Sequence, residues 1–338
     1  MKKKEKIDKT PTLTVVMPVY NAAKYLPKAL ESIINQTFVD WELVAVDDGS
    51  TDESGKILDT YADKDKRIRP IHKINGGATL ARVEGVKLGK GEIVTFFDAD
   101  DWIEPDMYER MLHYMYVENL DIVVGGNLEE INGTVRQPYK LLETQVFSSE
   151  QAQVELLSQR HHGWELWDKL YRRNLFQGYN LSKHIVLGED LLTNWMVYKK
   201  AERIGYTPVC GYHYVKHENS LTTADYSWKR YTVISVFEEI AKDRQLMSLE
   251  VREAFDSARR RRTLGAMVGM TISGNVEFNH IFSKLQKQIR ADWYGYLFDQ
   301  YLSNVRKLLF CYFSLPTPFC QKGRILLVFF ERIIKTWC

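Results

Sequence analysis

A chain of 338 residues is long enough for two domains, or for one α/β domain with an appendage. Its 45% hydrophobic and 27% charged content excludes an intrinsically disordered protein, and a formal net charge of +2 argues against a nucleic-acid binder. The four cysteines, Cys210, Cys311, Cys320 and Cys338, form no Cys-x-x-Cys pair, so zinc-knuckle and dithiol chemistry are set aside in favour of reduced thiols.

The first ten residues, MKKKEKIDKT, belong to a charged tail over 1–11 and lead into no apolar stretch of the kind a secretory signal needs. No run of about 18 apolar residues occurs, so no transmembrane helix is expected. The chemistry is therefore expected in the cytoplasm or at the inner face of the cell membrane.

A β-branched run at 14–17 predicts a first strand, stopped by Pro18. Asn21 is placed to cap the following helix, in which Tyr25, Leu26, Ala29, Leu30, Ile33 and Ile34 recur at helical spacing. Residues 43–46 read as a buried strand, and Ser50 with Glu53 has the spacing of a capping box for a second helix. A short strand at 67–72, a turn at Gly76-Gly77, a helix at 80–88 and a strand at 93–97 follow. A helix over 105–118 begins with Pro105, a strand over 121–125 comes next, and Asn132-Gly133 marks a tight hairpin. Strands alternating with helices predict a mostly parallel sheet covered on both faces, with ligands beyond the carboxyl ends of its strands.

Those ends are polar: Pro18-Val19-Tyr20-Asn21, Asp47-Asp48-Gly49-Ser50 and Asp98-Ala99-Asp100-Asp101. Carboxylates beside a buried strand repel one another and lose hydration. A hard divalent cation, Mn²⁺ or Mg²⁺, would reverse that repulsion, taking one or two carboxylates together with a diphosphate. For Asp101 the simpler reading is a cap on the helix near Pro105. Asp47 and Asp48 are placed to accept hydrogen bonds from a ribose or a base.

From about residue 140 the pattern changes. HHGWELWDKLYRRNLF gathers aromatic and basic residues, and GEDLLTNWMVYKKAERI reads as a helix led by acids. YTPVCGYHYVKHENS reads as a strand, containing His213, followed by a polar loop. Beyond residue 227 the pattern is helical, with the tetrad Arg259, Arg260, Arg261, Arg262. The tetrad reads as a solvated helix face, or as a contact for anionic lipid or a polyphosphate carrier. The tail at 322–338 mixes apolar residues with Lys322, Arg324, Arg332 and Lys335. That composition suits a helix lying on a bilayer, a contact in a homo-oligomer, or packing on its own domain.

The segments VVMPVYNAAKYLPKALESIINQTFVDWELVAVDDGSTDES, NGGATLARVEGVKLGKGEIVTFFDADD and GED together resemble the family 2 glycosyltransferases. The resemblance is continuous over about 12–127 and patchy to about 222. It implies an α/β GT-A fold with a mostly parallel central sheet flanked by helices. It also implies metal-dependent, inverting transfer from a nucleotide-diphosphate sugar, in particular a UDP-sugar, to a hydroxyl of a glycan or lipid-linked glycan. A GT-A domain over 12–226 is expected, its nucleotide-sugar half at 12–127 and its acceptor half at 128–226, followed by a helical region over 227–338.

Residue by residue, the resemblance implies that Pro18, Tyr20 and Asn21 line the base pocket. Asp47 and Asp48 meet the nucleoside, Asn75, Gly76 and Arg82 approach it, and Asp98 holds ribose or sugar. Asp100 and His217 are the implied metal contacts. Asp190 is the implied catalytic base, supported by Glu189, although an acid in a first helical turn needs no such role. Trp164 and Lys169 fall in the acceptor-side segment, whereas core packing accounts equally well for Trp167. His161 and His162 are expected at the acceptor side or the surface. QIRADW does not match the Gln-x-x-Arg-Trp of processive synthases, which favours a single or short addition. A nucleotidylyltransferase would open with a Gly-rich phosphate loop that PVYNAAKYL lacks. A non-catalytic nucleotide-sugar scaffold would have lost Asp100 or Asp190, and both acids are present.

Overall fold

The computed structural model describes residues 10–131, 133–181, 184–216, 227–316 and 320. The expected His217 contact and the 322–338 tail lie outside them. The described residues form two compact units. One is drawn from 1–152, 160–184 and 193–217, the other from 153–159, 185–192 and 218–338. Segments 153–159 and 185–192, inside the expected 12–226 domain, thus group with the C-terminal helices.

The first unit is built on one sheet. In chain order its first half runs β1 (Leu13–Val19), α1 (Leu26–Ile34), β2 (Trp41–Asp47), α2 (Ser54–Lys64), β3 (Ile68–His72), α3 (Ala78–Leu88) and β4 (Ile93–Phe96). Then come β5 (Trp102–Ile103), α4 (Met107–Val117), β6 (Ile122–Ile131), β7 (Thr134–Arg136) and β8 (Gln145–Phe147). The strands β9 (Lys169–Arg172) and β10 (Ile204–Val215) complete the series, while the helices α5 (Ser149–Ser158) and α6 (Glu189–Tyr198) divide between the two units. The strand order is β3-β2-β1-β4-β9-β6-β10-β5, with β7 beside β6 and β8 beside β10.

The strands β3, β2, β1 and β4 are all parallel, as expected. Beyond β4 the sheet is mixed: β9 runs antiparallel to β4 and β6, and β5 and β8 run antiparallel to β10. The chain builds outward from β1 to β3, then reverses to lay β4 on the other side of β1. The switch point therefore lies between β1 and β4, where open α/β sheets bind ligands. Every residue of β2 and β4 is buried, because helices cover both faces. On one face α1 buries Leu26, Ala29, Leu30 and Ile33 against Val15, Met17, Leu43 and Ala45.

Several local expectations are corrected. Pro18 does not stop β1, which continues to Val19 with Pro18 in register with Val46. Val16 turns its carbonyl to Phe97 on the β4 side and Val19 turns its own to Asp48 on the β2 side. Pro18, sharing the orientation of Val16, thus lacks its N–H on the β4 side, past the last registered β4 residue, and no ladder bond is lost. Asn21 does not cap α1; the cap position is Tyr25, and no side chain caps it. Ser50 and Glu53 form no capping box: Ser50 accepts from the Asn21 N–H at 3.0 Å, and Glu53 pairs with Lys56. The helix after Pro105 starts later, at Met107. The strand expected at 121–125 extends to Ile131 as β6, and Ile131 pairs with Thr134 across the expected two-residue hairpin.

The second unit contains α7 (Trp228–Ile240), α8 (Leu249–Ser273), α9 (Asn279–Ala291), α10 (Trp293–Phe298) and α11 (Asn304–Phe313). Leu264, Met267, Phe282, Ile289, Phe310 and Phe313 form its core. The arginine tetrad is largely consumed there. Arg260 binds Asp292 and Asp299, Arg261 donates to the carbonyls of Leu157 and Ser158, and Arg262 donates to Gln159. Arg261 thus satisfies carbonyls at the end of α5, which a helix leaves unpaired. Arg260, Arg261 and Arg262 are therefore structural partners, neither a solvated face nor a headgroup contact.

Candidate active site

The acids lie together at one end of the first unit's sheet. Val19 is in register with Asp47, and Asp98, two residues past Phe96, stands level with Pro18. The loops after β1 and β2 are tied to each other. The Asn21 side-chain oxygen accepts from Thr51 N–H at 2.8 Å, Ala22 N–H donates to Ser54 Oγ at 2.9 Å, and Ala23 N–H donates to Asp52 at 3.0 Å. Asn21 has φ of 50°, a left-handed backbone that asparagine tolerates. Tyr20 is left outward, 54% exposed, with Pro18 half-buried behind it.

Asp48 is buried and anchors the next loop. Its Oδ1 accepts from Lys73 Nζ at 2.6 Å and Gly76 N–H at 2.9 Å, and its Oδ2 from Gly77 N–H at 2.6 Å. Asn75 is thereby held at the surface and Gly76 beside it. Gly49, at φ of 72°, leaves no room for a side chain: a Cβ would stand 2.8 Å from the Asn75 backbone nitrogen. Asp47 faces the other way, accepting from Ser50 N–H at 3.0 Å and bonding His72 Nδ1 at 2.8 Å. Burial raises the Asp47 pKa, but the hydrogen bonds from Ser50 and His72 outweigh it and hold it below the ordinary value.

At the end of β4 three carboxylates have three environments. Asp98 is half-buried and accepts from Arg82 Nη2 at 2.9 Å, the arginine itself being buried. Asp100 is exposed. Asp101 is buried and does not cap α4; it accepts from Tyr212 Oη and from Val215 N–H, both at 2.8 Å. Tyr212 Oη accepts in turn from Asp98 N–H at 3.1 Å. The acid turn is thus fastened to the end of β10. Burial, then the charges of Asp98 and Asp100, push the Asp101 pKa well above the usual carboxylate range.

A divalent metal is implied by the family resemblance. Among the described residues no group of three or more His, Cys, Asp or Glu could hold one with protein ligands alone. The exposed Asp100 beside the half-buried Asp98 fits a cation that takes one or two carboxylates, completing its shell from diphosphate and water.

Glu189 and Asp190 open α6, half-buried, in the first turn where the helix dipole favours acids. They belong to the second unit, where Leu187 N–H donates to Thr232 of α7 at 2.9 Å. Trp164 is half-buried and its carbonyl accepts from Asn194 at 2.7 Å. Lys169 is wholly buried, its ammonium 2.6 Å from Asp168 Oδ1, so it lies in the interior and not on an acceptor surface. Burial pushes Asp168 up to about 7, with Lys169 acting against the rise. Trp167 is core, stacked on Tyr212 with centroids 4.1 Å apart. His162 is buried as well, correcting its acceptor-side or surface placement, and burial lowers its pKa well below the ordinary value. His213 is a buried strand residue bonded to Glu104 and Glu130.

His72, Lys73 and Tyr212, which orient these acids, carry no local sequence signal. Their partners lie 25, 25 and 111 residues away.

Residues 14–180 match the family model for glycosyl transferase family 2. Glycosyltransferase GlyG of Streptococcus pneumoniae serotype 4 is 32% identical over 253 residues, covering 71% of this chain and 82% of GlyG. The uncharacterized glycosyltransferase EpsJ of Bacillus subtilis is 33% identical over 221 residues; the match spans 64% of this chain and just under two thirds, 64%, of EpsJ. The structure of S. aureus TarS 1-349 in complex with UDP-GlcNAc superposes with a TM-score of 0.68 at 21% identity, over 95% of this chain and 91% of that one. At that identity the likeness establishes the fold, a GT-A-type α/β unit with its central sheet flanked by helices. The chain belongs to glycosyl transferase family 2 and is a glycosyltransferase. That membership sets aside the nucleotidylyltransferase alternative.

Proposed function

We propose that this protein transfers a sugar, with inversion, from a UDP-sugar to a hydroxyl of a glycan or lipid-linked glycan, in a metal-dependent reaction of surface-polysaccharide synthesis. The observation that carries the reading is that the carboxyl ends of β2 and β4, on either side of β1, carry Asp48 on one side and the Arg82–Asp98 pair with the exposed Asp100 on the other. The UDP-GlcNAc held by TarS supports a UDP-linked donor here. The reaction belongs in the cytoplasm or at the inner face of the cell membrane.

In this reading Tyr20, Pro18 and Asn21 receive the base. The loop fixed by Asp48 presents Asn75 and Gly76 to the nucleoside, and Arg82 fixes Asp98 for a ribose or sugar hydroxyl. Asp100, with His217 as the other contact that the resemblance implies, would hold the divalent ion; when bound, it supplies charge neutralisation to the leaving diphosphate. The acceptor oxygen forms a bond to the anomeric carbon while the bond from that carbon to the diphosphate oxygen breaks. Asp190 takes the acceptor proton, with Glu189 supporting it, and UDP leaves with the bonding electron pair. Base catalysis of this kind is worth about 10²–10⁴-fold.

The test is donor turnover by the purified chain, over a panel of nucleotide sugars, with Mn²⁺ or with chelator. Nucleoside diphosphate should be released from one donor, and only with metal. Asp100→Asn should sharply reduce the metal-dependent rate. Asp190→Asn should reduce transfer by about 10²–10⁴-fold with UDP binding retained. Wild-type transfer by Asp190→Asn would sink the base assignment.

A further inference from the structure

The helix α10 is six residues long and buries only Tyr296. It turns Trp293, Tyr294 and Phe298 outward, 55%, 64% and 65% exposed. The rings are contiguous: Tyr294 and Phe298 have centroids 4.6 Å apart, and Trp293 and Tyr294 5.8 Å. Just before them α9 buries Phe282, Leu285, Gln286 and Ile289 and exposes Lys284 and Lys287. Lys284 and Lys287 lie on the exposed side of α9, which ends at Ala291, two residues before α10 begins at Trp293. The exposed aromatics thus follow an exposed basic pair closely in the chain.

The charges along this stretch are one-sided. Between 279 and 298 the cations are Lys284, Lys287 and Arg290, and the acid is Asp292, with Asp299 immediately beyond. Both acids are bound by Arg260 of α8, at 2.8 and 3.0 Å. The acids nearest the aromatics are thus drawn onto Arg260, and the lysines set the sign of the exposed face.

We propose that the α9–α10 face is a docking surface for an anionic lipid bilayer. Trp and Tyr have an apolar body and a polar edge, which suits the headgroup boundary, and lysines beside them meet anionic headgroups. At 1.5 Å per residue α10 is about 9 Å long, so it lies on a bilayer and does not cross it. Among the described residues no helix is long and apolar enough to cross. A second copy of the chain fits less well. The exposed parts of three aromatics offer roughly 300–450 Å², against the roughly 800 Å² per partner of a standard interface.

The test is co-sedimentation of the full chain with phosphatidylcholine vesicles, with and without phosphatidylglycerol. Binding is expected only with phosphatidylglycerol, weakening as salt rises. Lys284→Gln/Lys287→Gln should lower the partition coefficient about thirty-fold, for two cations near a charged surface. Tyr294→Ser/Phe298→Ser should lower it at least about ten-fold, and both changes are on exposed side chains that leave the core intact. Brominated lipid should quench Trp293, and the quenching should drop in Trp293→Phe. Wild-type binding by both double variants, or Trp293 unquenched on vesicles, overturns the proposal. A fall in solution mass in Tyr294→Ser/Phe298→Ser with vesicle binding intact overturns it in favour of a subunit interface.

Discussion

His72 sits between two carboxylates, with Nδ1 2.8 Å from Asp47 and Nε2 3.1 Å from Asp59. The hydrogen bonds to Asp47 and then Asp59 raise its pKa, while Asp47 is held below its ordinary value. The two shifts act on stability at opposite ends of the pH scale. His72 stabilises fully below its unfolded pKa of about 6.5 and loses that contribution as pH rises through its higher folded value. Asp47 stabilises above its unfolded pKa of about 3.9 and loses that contribution as pH falls through its lower folded value. The pair therefore contributes most between about pH 4 and 6.5. The difference in Tm between wild type and His72→Gln should be largest there and shrink as pH rises through the raised folded pKa of His72. A difference that stays flat across that range would remove the charge from the account.

At the scale of elements, the turn after β4 is tied to β10 through one phenol and one carboxylate. Tyr212 is fully buried between Phe97 and Trp167, its hydroxyl donating to Asp101 and accepting from Asp98 N–H. Tyr212→Phe keeps the ring packing and leaves one Asp101 oxygen without its hydroxyl donor. It should cost about 1–3 kcal/mol in urea unfolding, the usual penalty for a stranded buried acceptor. A cost below about 0.5 kcal/mol would mean that water replaces the hydroxyl. Element identity was largely legible, because the apolar runs of β1, β2, β4 and α1 are local and periodic. Element ends were less so. Pro18 reads as a stop until its neighbour on the β4 side is known, and Ser50 with Glu53 reads as a cap until Asn21 takes the serine.

At the scale of the whole molecule, each unit has its own buried polar anchor. In the second, Arg260 holds Asp292 and Asp299, and Ser257 donates to Asp299 at 3.0 Å. Asp299 is buried, so Arg260→Leu would leave it without its cation. The expected loss is about 3–5 kcal/mol, read as faster hydrogen exchange across α8, α9 and α10. Unchanged exchange would show that Asp299 finds another partner.

By itself the sequence determined the alternation of strands and helices and the places where acids end strands. It also held the ordered motifs that mark a family 2 glycosyltransferase, because these are short-range patterns of residue type. Only the tertiary structure decided that Asp48 anchors the Gly76–Gly77 loop and that Asp101 is an interior acceptor, not a cap. It likewise decided that Lys169 is buried and that Arg260, Arg261 and Arg262 are spent on internal partners. The physical reason is distance along the chain. A buried charge must find a partner wherever the fold brings one, and these partners stand between 28 and 114 residues away for Asp48's glycines, Asp101 and the arginines.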